Sequence, residues 1–245
     1  MSSPSIVDLP EPVAPPAALP AGNASLTFTP HGAQLFPARL GASDIASLQA
    51  LADRLVGDRA GVRLHGAPTV TAVVSSQGPL GAIAAATLGA AARPVRAVLF
   101  DKTPTNNWSV AWHQDRTIAV RQRRDMPGFG PWSIKAGIQH VEPPFAVTAG
   151  MITLRAHLDP CNDDNAPLLV APGSHRLGRL PAAAITAAVA ALGTVACHAA
   201  AGDIWLYATA IIHASEPARM PQRRRVLQVD YAACDLPQGL DWLGV

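Results

Sequence analysis

The chain is poor in cysteine, lysine and charge. Its three cysteines are widely spaced and form no Cys-x-x-Cys pair, which argues against a disulfide framework or a zinc ribbon and fits a reducing cytoplasm. Lys102 and Lys135 are the only lysines, charged residues make up 15% of the chain, and the net charge is +2. So small a charge gives no electrostatic attraction to nucleic acid or to a membrane surface, and we expect neither as a partner.

Several functional motifs are absent as well. The sequence has no Gly-x-Gly-x-x-Gly, Walker loop, Gly-x-Ser-x-Gly elbow or His-Glu-x-x-His, which argues against nucleotide binding, serine hydrolysis and zinc proteolysis. The N-terminus lacks the basic and apolar regions of a secretory signal, so we expect a cytoplasmic protein. Residues 181–202 carry no charge, but they are mostly alanine and are interrupted by proline and glycine. This stretch predicts a surface helix followed by a strand, not a membrane span.

What remains is a chain of 245 residues, 49% of them hydrophobic, with a change of pattern along its length. Residues 1–24 are rich in Pro, Ala and Ser without periodicity and predict a flexible tail. We interpret 25–245 as one domain, with a helical part at 43–90 and a β core at about 95–232 that forms a sandwich or barrel. Within it we predict helices at 44–55 (capped by Ser43), 79–88 and 182–192, and strands at 108–120, 151–158, 168–170, 194–198, 203–208 and 224–232.

The segment Trp112-His113-Gln114-Asp115 carries the chemistry we consider most informative. On a strand, positions i and i+2 point to the same face, so His113 and Asp115 can reach one metal ion. Two histidines and a carboxylate on one face of a metal are typical of non-haem Fe(II) oxygenases, and His213 is our candidate for the missing ligand. A second pair, His157 and Asp159, has the same spacing, so spacing alone does not decide between the two pairs.

The run from Val95 to Tyr231 resembles the phytanoyl-CoA dioxygenase family of Fe(II)/2-oxoglutarate oxygenases. The matching pieces follow in the family's order: 112–115, 158–159, 165–168, 171–175 (Ala-Pro-Gly-Ser-His), 202–204, 213–215 and 224–227. The resemblance implies a double-stranded β-helix, or jelly roll, with helices at one side. It also implies Fe(II) held by His113, Asp115 and His213, and it leaves His157 as a barrel residue.

The family further has a Ser two residues and an Arg eleven residues after its second metal histidine, and these positions here are Ser215 and Arg224. By resemblance, Arg224 and Ser215 bind the distal carboxylate of 2-oxoglutarate, and Trp132 lies against this cosubstrate. Arginine suits such a role because it grips a carboxylate with two hydrogen bonds and stays charged. Its neighbours Arg223 and Arg225 should point to the other face of the strand.

The reaction implied is hydroxylation of a small metabolite by O2, with release of succinate and CO2. Asp115 favours oxidation over halogenation, because halogenating relatives have Gly or Ala at that position. Ala166 departs from the family's Asn-Gly, and a turn with positive φ would be strained there. Two other classes stay open: a cupin-like hydrolase or isomerase that uses the triad without 2-oxoglutarate, and a non-catalytic binding protein on the same barrel.

Overall fold

The computed structural model describes residues 26–237 and 239–245, so the tail expected at 1–24 lies outside the described residues. In these two ranges, no helix combines the length and the hydropathy needed to cross a membrane. The helices are α1 (Phe28–His31), α2 (Ala42–Leu55), α3 (Pro68–Val74), α4 (Pro79–Leu88), α5 (Phe145–Ala149) and α6 (Ala182–Leu192).

Thirteen strands occupy the described ranges, most of them three to six residues long. They are β1 (Ala33–Phe36), β2 (Gly61–Leu64), β3 (Arg93–Lys102), β4 (Val110–His113), β5 (Ile118–Val120), β6 (Trp132–Lys135), β7 (Ile138–Val141), β8 (Ile152–His157), β9 (Leu168–Val170), β10 (Val195–Cys197), β11 (Ile204–Ala208), β12 (His213–Ser215) and β13 (Arg224–Ala232).

The strands form three antiparallel sheets. The large sheet has the order β1-β11-β8-β13-β3-β2, the second sheet β10-β9-β12-β4, and a small sheet β5-β7-β6. Trp205 and Tyr207 of the large sheet pack against Leu168 and Val170 of the second sheet, so these two sheets face each other. The expectation of a mainly β jelly roll with helices at one side is confirmed, although the sheets do not close into a continuous barrel.

Alternation along the strands of the large sheet separates its two faces. On β13, Leu227, Val229 and Tyr231 belong to a hydrophobic cluster with helices α2, α3 and α4. The two residues between them, Gln228 and Asp230, point to the opposite face, toward the second sheet. The helices therefore cover one face of the large sheet, and its other face carries polar groups into the space between the sheets.

Two local predictions are wrong. Helix α2 begins at Ala42, one residue after Gly41, and Ser43 makes no side-chain cap. The strand expected over 108–120 is two strands, β4 and β5, and residues 114–117 between them are irregular. Asp115 therefore lies beyond the end of β4, and the same-strand argument that placed it beside His113 does not apply. Its position has another cause, which involves Gln114.

Candidate metal centre

His113, Asp115 and His213 come together at one end of the space between the sheets. His113 is the last residue of β4 and His213 is the first residue of β12, and the two are partners in the register of these antiparallel strands. Their ring centroids are 4.3 Å apart. One ligand atom from each of the three side chains lies within 4.8 Å of the others. The three residues predicted to bind a metal are thus adjacent, although a hundred residues of chain separate the first two from the third.

Each imidazole is held by the backbone carbonyl group two residues before it in the chain. Nδ1 of His113 is 2.8 Å from the carbonyl oxygen of Ala111, and Nδ1 of His213 is 2.9 Å from that of Ile211. A carbonyl oxygen only accepts hydrogen bonds, so each Nδ1 carries the proton and donates it. In a neutral ring this arrangement leaves the lone pair on Nε2, which is the tautomer that binds a metal. Burial lowers the pKa of His213 to about 4, so its ring is neutral at pH 7.

Gln114 fixes the irregular segment that carries Asp115. Its side chain is buried and points away from the metal site. The amide nitrogen donates to the carbonyl oxygens of Gly178 and Ala210, both at 3.0 Å, and the amide oxygen accepts from the N–H of Leu180 at 3.0 Å. These three bonds replace the ladder bonds that a continuing strand would have made. They hold Asp115 beside the histidines after the strand has ended.

Asp115 is also held by Arg96, whose side chain is 12% exposed. Nη2 of Arg96 lies 3.4 Å from Oδ2 of Asp115, and Nε of Arg96 lies 2.5 Å from Oδ2 of Asp230. Asp230 accepts a further hydrogen bond of 3.0 Å from the hydroxyl of Thr153. Burial alone would raise the pKa of Asp115, but Arg96 and the two histidines hold it below its usual value. The carboxylate is therefore ionised and oriented, as a metal ligand must be.

The Pro-Gly-Ser-His turn positions the second histidine from outside the sheets. Ser174 is fully buried, and its hydroxyl oxygen accepts a 2.8 Å hydrogen bond from the backbone N–H of Ile212. Gly173 just before it has φ +82°, a left-handed conformation that favours glycine. This turn thus fixes the backbone immediately before His213.

A small cavity extends from the three candidate ligands into the space between the two large sheets. Its polar lining beyond the ligands consists of two guanidinium groups, an amide and a hydroxyl. The lining residues are Phe100, Trp108, Val110, His113, Asp115, Arg155, Leu168, His213, Ala214, Ser215, Arg224 and Gln228. One end of this cavity therefore offers metal ligands, and the remainder offers groups that bind an anion.

Only one of the three consecutive arginines faces this cavity. Arg224 is 1% exposed and lines it. Arg223 points to the other side and pairs with Asp101 at 2.6 Å, and Arg225 pairs with Asp159 at 2.7 Å. The alternation expected from the sequence is present. Within the described ranges no carboxylate pairs with Arg224, and burial, together with Arg155, lowers its pKa.

Arg224 and Ser215 both have polar atoms without a partner in the described part of the chain. The hydroxyl of Ser215 and Nε of Arg224 are buried and make no hydrogen bond there. Nη1 of Arg224 donates to the carbonyl oxygen of Ala166. Ala166 has φ +53°, so the left-handed turn is kept although alanine replaces the family's glycine. Buried polar groups without partners are costly, so these two atoms are available to a bound group.

Trp132 lies outside this cavity. It begins β6 in the small sheet and packs with a separate hydrophobic cluster that contains Val120 and Val141. The guanidinium of Arg123 lies over its ring, 5.5 Å from the centroid. The loop 121–131 carries the chain from β5 to the far edge of the small sheet. Trp132 is not among the residues that line the cavity, and its contact with the cosubstrate stays a prediction; the aromatic rings that line the cavity are those of Phe100 and Trp108.

The second His-x-Asp pair does not form a site. His157 is 1% exposed on β8, as expected for a barrel residue. Asp159 follows the end of that strand and accepts hydrogen bonds from the backbone N–H, Nε and Nη2 of Arg225 at 2.7–2.8 Å. The two side chains serve different parts of the structure, so the choice of the first pair agrees with the geometry.

The sequence reasoning missed the polar groups that β8, β13 and β3 contribute. Arg155 and Gln228 line the cavity, and Arg96 holds Asp115. A signal was present in β8, where Thr153, Arg155 and His157 alternate with apolar residues. Alternation of this kind indicates a polar inner face, but it does not say which strands are neighbours.

Comparison with known proteins gives a family and a fold. The model of the phytanoyl-CoA dioxygenase family matches residues 80–226, which is more than half of the chain and includes the three candidate ligands and Arg224. No curated protein matches this sequence.

Three of the similar solved structures illustrate the fold. AviO1 from Streptomyces viridochromogenes Tue57 is 22% identical, with 86% of this chain and 92% of that chain covered and a TM-score of 0.60. The epimerase SnoN, in complex with Fe3+, alpha ketoglutarate and nogalamycin RO, is 16% identical over 86% and 88%, with a TM-score of 0.61. EctD from S. alaskensis, with 2-oxoglutarate and 5-hydroxyectoine, is 18% identical over 84% and 73%, with a TM-score of 0.61. At these identities the likeness is one of fold.

Proposed function

This chain belongs to the phytanoyl-CoA dioxygenase family, and we propose that it is an Fe(II)- and 2-oxoglutarate-dependent oxygenase that hydroxylates a small metabolite. One observation carries the proposal: a two-histidine, one-carboxylate cluster and a buried arginine without a carboxylate partner among the described residues line the same small cavity. The first group suits a ferrous ion and the second suits a dicarboxylate that reaches it.

The residues present fit Fe(II). Two imidazoles whose Nδ1 atoms are occupied by backbone carbonyl oxygens and one ionised carboxylate are the donor set of the facial triad, which would leave room for a cosubstrate and O2. His113, Asp115 and His213 would hold the ion. Arg96 and Gln114 would keep the carboxylate of Asp115 in place for the ion.

The residues also fit 2-oxoglutarate. Arg224 would bind its distal carboxylate through two parallel N–H bonds, and the hydroxyl of Ser215 would add a third. Each has a buried polar atom without a partner in the described part of the chain, and both residues line the cavity with the candidate metal ligands. A cupin-like hydrolase or isomerase would have no use for these groups, which is why we favour the oxygenase over that alternative.

The chain's own contribution to the reaction is binding, orientation and exclusion of water. When bound, iron and 2-oxoglutarate supply the oxidising chemistry with O2, and succinate and CO2 are released. Arg224 and Ser215 orient the cosubstrate, and the three ligands fix the metal at the other end of the cavity. Phe100 and Leu168 make part of the wall apolar, which strengthens the charge interactions inside it.

Anaerobic addition of Fe(II) and then 2-oxoglutarate to the purified protein tests the assignment. A visible metal-to-ligand charge-transfer band should appear in the wild type and be lost in His213→Ala. His198→Ala is the matched control, because His198 is a partly exposed histidine that pairs with Asp163 at 2.6 Å, and it should leave the band unchanged. Absence of a band in a folded wild-type protein that binds Fe(II) would refute the use of 2-oxoglutarate.

The outcome of the oxidation needs a second experiment. Candidate metabolites are screened for stimulated succinate release. For each compound that stimulates it, the molecular mass of the product is measured by mass spectrometry. Hydroxylation adds one oxygen atom, whereas epimerisation, the reaction in the name of SnoN, leaves the mass unchanged. A product without added oxygen would refute hydroxylation and keep the oxygenase chemistry. A protein that binds Fe(II) and 2-oxoglutarate but releases no succinate with any compound would favour the non-catalytic alternative.

A further inference from the structure

A second buried guanidinium shares the cavity with Arg224. Arg155, on β8, is 7% exposed and lines the cavity together with the three candidate ligands. Its Nη1 donates to the amide oxygen of Gln228 at 2.9 Å, and its buried Nε has no hydrogen-bond partner among the described residues. In the ranges that the structure describes, no carboxylate forms an ion pair with Arg155. A charge buried in this way is expensive unless an anion neutralises it.

The strand register places Arg155 nearer to the metal end than Arg224. On β13, Asp230 is paired with Arg96 of β3, which contacts Asp115, so this pair marks the level of the candidate ligands. Arg155 is the partner of Gln228, the next inward residue along β13. Arg224 follows only two inward positions later. From the metal end, the order of cations along the cavity is therefore Arg155 and then Arg224.

We propose that Arg155 binds the carboxylate next to the keto group of 2-oxoglutarate, the end that chelates the metal, while Arg224 binds the distal carboxylate. This inference rests on the function proposed above. Two buried cations at two levels of one cavity match a dianion that has a carboxylate at each end. Gln228 orients Arg155 through its amide oxygen and leaves the other guanidinium N–H groups for the ligand.

A comparison of two keto acids tests this order. The Fe(II) protein is titrated anaerobically with 2-oxoglutarate and with 2-oxovalerate, which has the same keto acid end but no distal carboxylate, and the charge-transfer band reports each Kd. Arg155→Gln should raise the Kd of both keto acids by a similar factor, about tenfold to a hundredfold, because one charge-assisted hydrogen bond is lost. Arg224→Gln should raise the Kd of 2-oxoglutarate and leave the Kd of 2-oxovalerate nearly unchanged.

The result that overturns the proposal is an Arg155→Gln variant that binds both keto acids as the wild type does; Arg155 then serves the primary substrate or the fold. If Arg155→Gln raises the Kd of 2-oxoglutarate alone, Arg155 does not bind the carboxylate next to the keto group, and the proposed order of the two arginines is overturned. Absence of the charge-transfer band in the wild type refutes the proposed function itself, and the inference about Arg155 is then refuted as well. Arg155→Lys guards against misfolding, because it keeps the charge and should show a smaller but equal loss for both ligands. Circular dichroism and the Fe(II) affinity of each variant serve as controls.

Discussion

Replacing Arg224 by methionine separates the role of this residue in binding from its role in folding. Arg224 is buried, faces the cavity and has no carboxylate partner among the described residues. Methionine keeps most of the apolar stem and removes the charge. Arg225→Met is the matched control, since Arg225 is the next residue on the same strand, faces the other side and pairs with Asp159 at 2.7 Å.

The effect of Arg224→Met on cosubstrate binding should be large. Removing one partner of a buried, hydrogen-bonded charge pair costs about 2–5 kcal/mol, much of it because the other charge is left unpaired. At about 1.4 kcal/mol for each factor of ten, the Kd for 2-oxoglutarate should rise by about 30-fold to several thousandfold. Arg225→Met removes no group from the cavity, so its Kd should stay within about twofold of the wild type.

For the free energy of unfolding, Arg225→Met should have the larger destabilising effect and Arg224→Met the smaller one. Arg224 bears a burial cost of about several kcal/mol as an ion that has no carboxylate partner in the described ranges, and the substitution relieves this cost. The lost hydrogen bond to Ala166 offsets about 1–3 kcal/mol of this gain. The unliganded Arg224→Met variant should therefore be as stable as the wild type or more stable by up to about 2 kcal/mol. Arg225→Met breaks a two-bond ion pair and should lose about 1–3 kcal/mol.

Two measurements decide the matter: urea unfolding of the metal-free proteins, and anaerobic titration of the charge-transfer band with 2-oxoglutarate. An Arg224→Met protein that unfolds more easily but binds 2-oxoglutarate normally would show that the arginine is a structural cation. The same would hold if Arg225→Met, and not Arg224→Met, lost affinity. Either outcome contradicts the assignment of the distal carboxylate to Arg224.

Three further changes test the surroundings of the site. Gln114→Leu removes the three hydrogen bonds that hold the Asp115 segment, so the Kd for Fe(II), measured by competition with a chromogenic chelator, should rise about 10–100-fold. Ala166→Gly relieves a residue at φ +53° and should raise the free energy of unfolding in urea by up to about 1 kcal/mol. Burial, with help from Arg224, lowers the pKa of Lys102 from 10.5 to about 8, so the folded state binds fewer protons than the unfolded state between these values and stability should rise as pH increases through this window. Lys102→Met should flatten that part of the plot of Tm against pH.

The parts of the fold that sequence patterns predict well are those with clear ends. Helices α4 and α6 run over 79–88 and 182–192 as expected, each ending at a glycine, and strands β9 and β13 have the expected bounds. The strand expected over 108–120 is wrong because the hydrogen bonds of Gln114 go to the loops at 178–180 and 210, not to a neighbouring strand. Such competition between a side chain and the sheet depends on tertiary contacts that periodicity does not contain.

The candidate site divides in the same way. His113, Asp115, His213, Ser215 and Arg224 were predictable because the chemistry demands those residue types and the resemblance supplies their spacing. Arg155 was not, because its role depends on β8 lying beside β13 in the large sheet, although about 70 residues of chain separate the two strands. The spacing of Trp132 from β4 does not say where the loop 121–131 leads, so spacing could not decide whether this residue lines the cavity.

The distance of eleven residues between His213 and Arg224 is informative because it spans both sheets. His213 and Ser215 are on β12 in the second sheet, Arg224 begins β13 in the large sheet, and residues 216–223 cross between them. The crossing is held in place: Nζ of Lys102 donates to the carbonyl oxygen of Glu216 at 3.0 Å, and Asn107 exchanges two hydrogen bonds with the backbone of Ala218. The length of this crossing therefore sets how far Arg224 lies from His213. A His-x-Asp pair alone has no such constraint, since His157 and Asp159 satisfy it from one sheet without facing a second histidine.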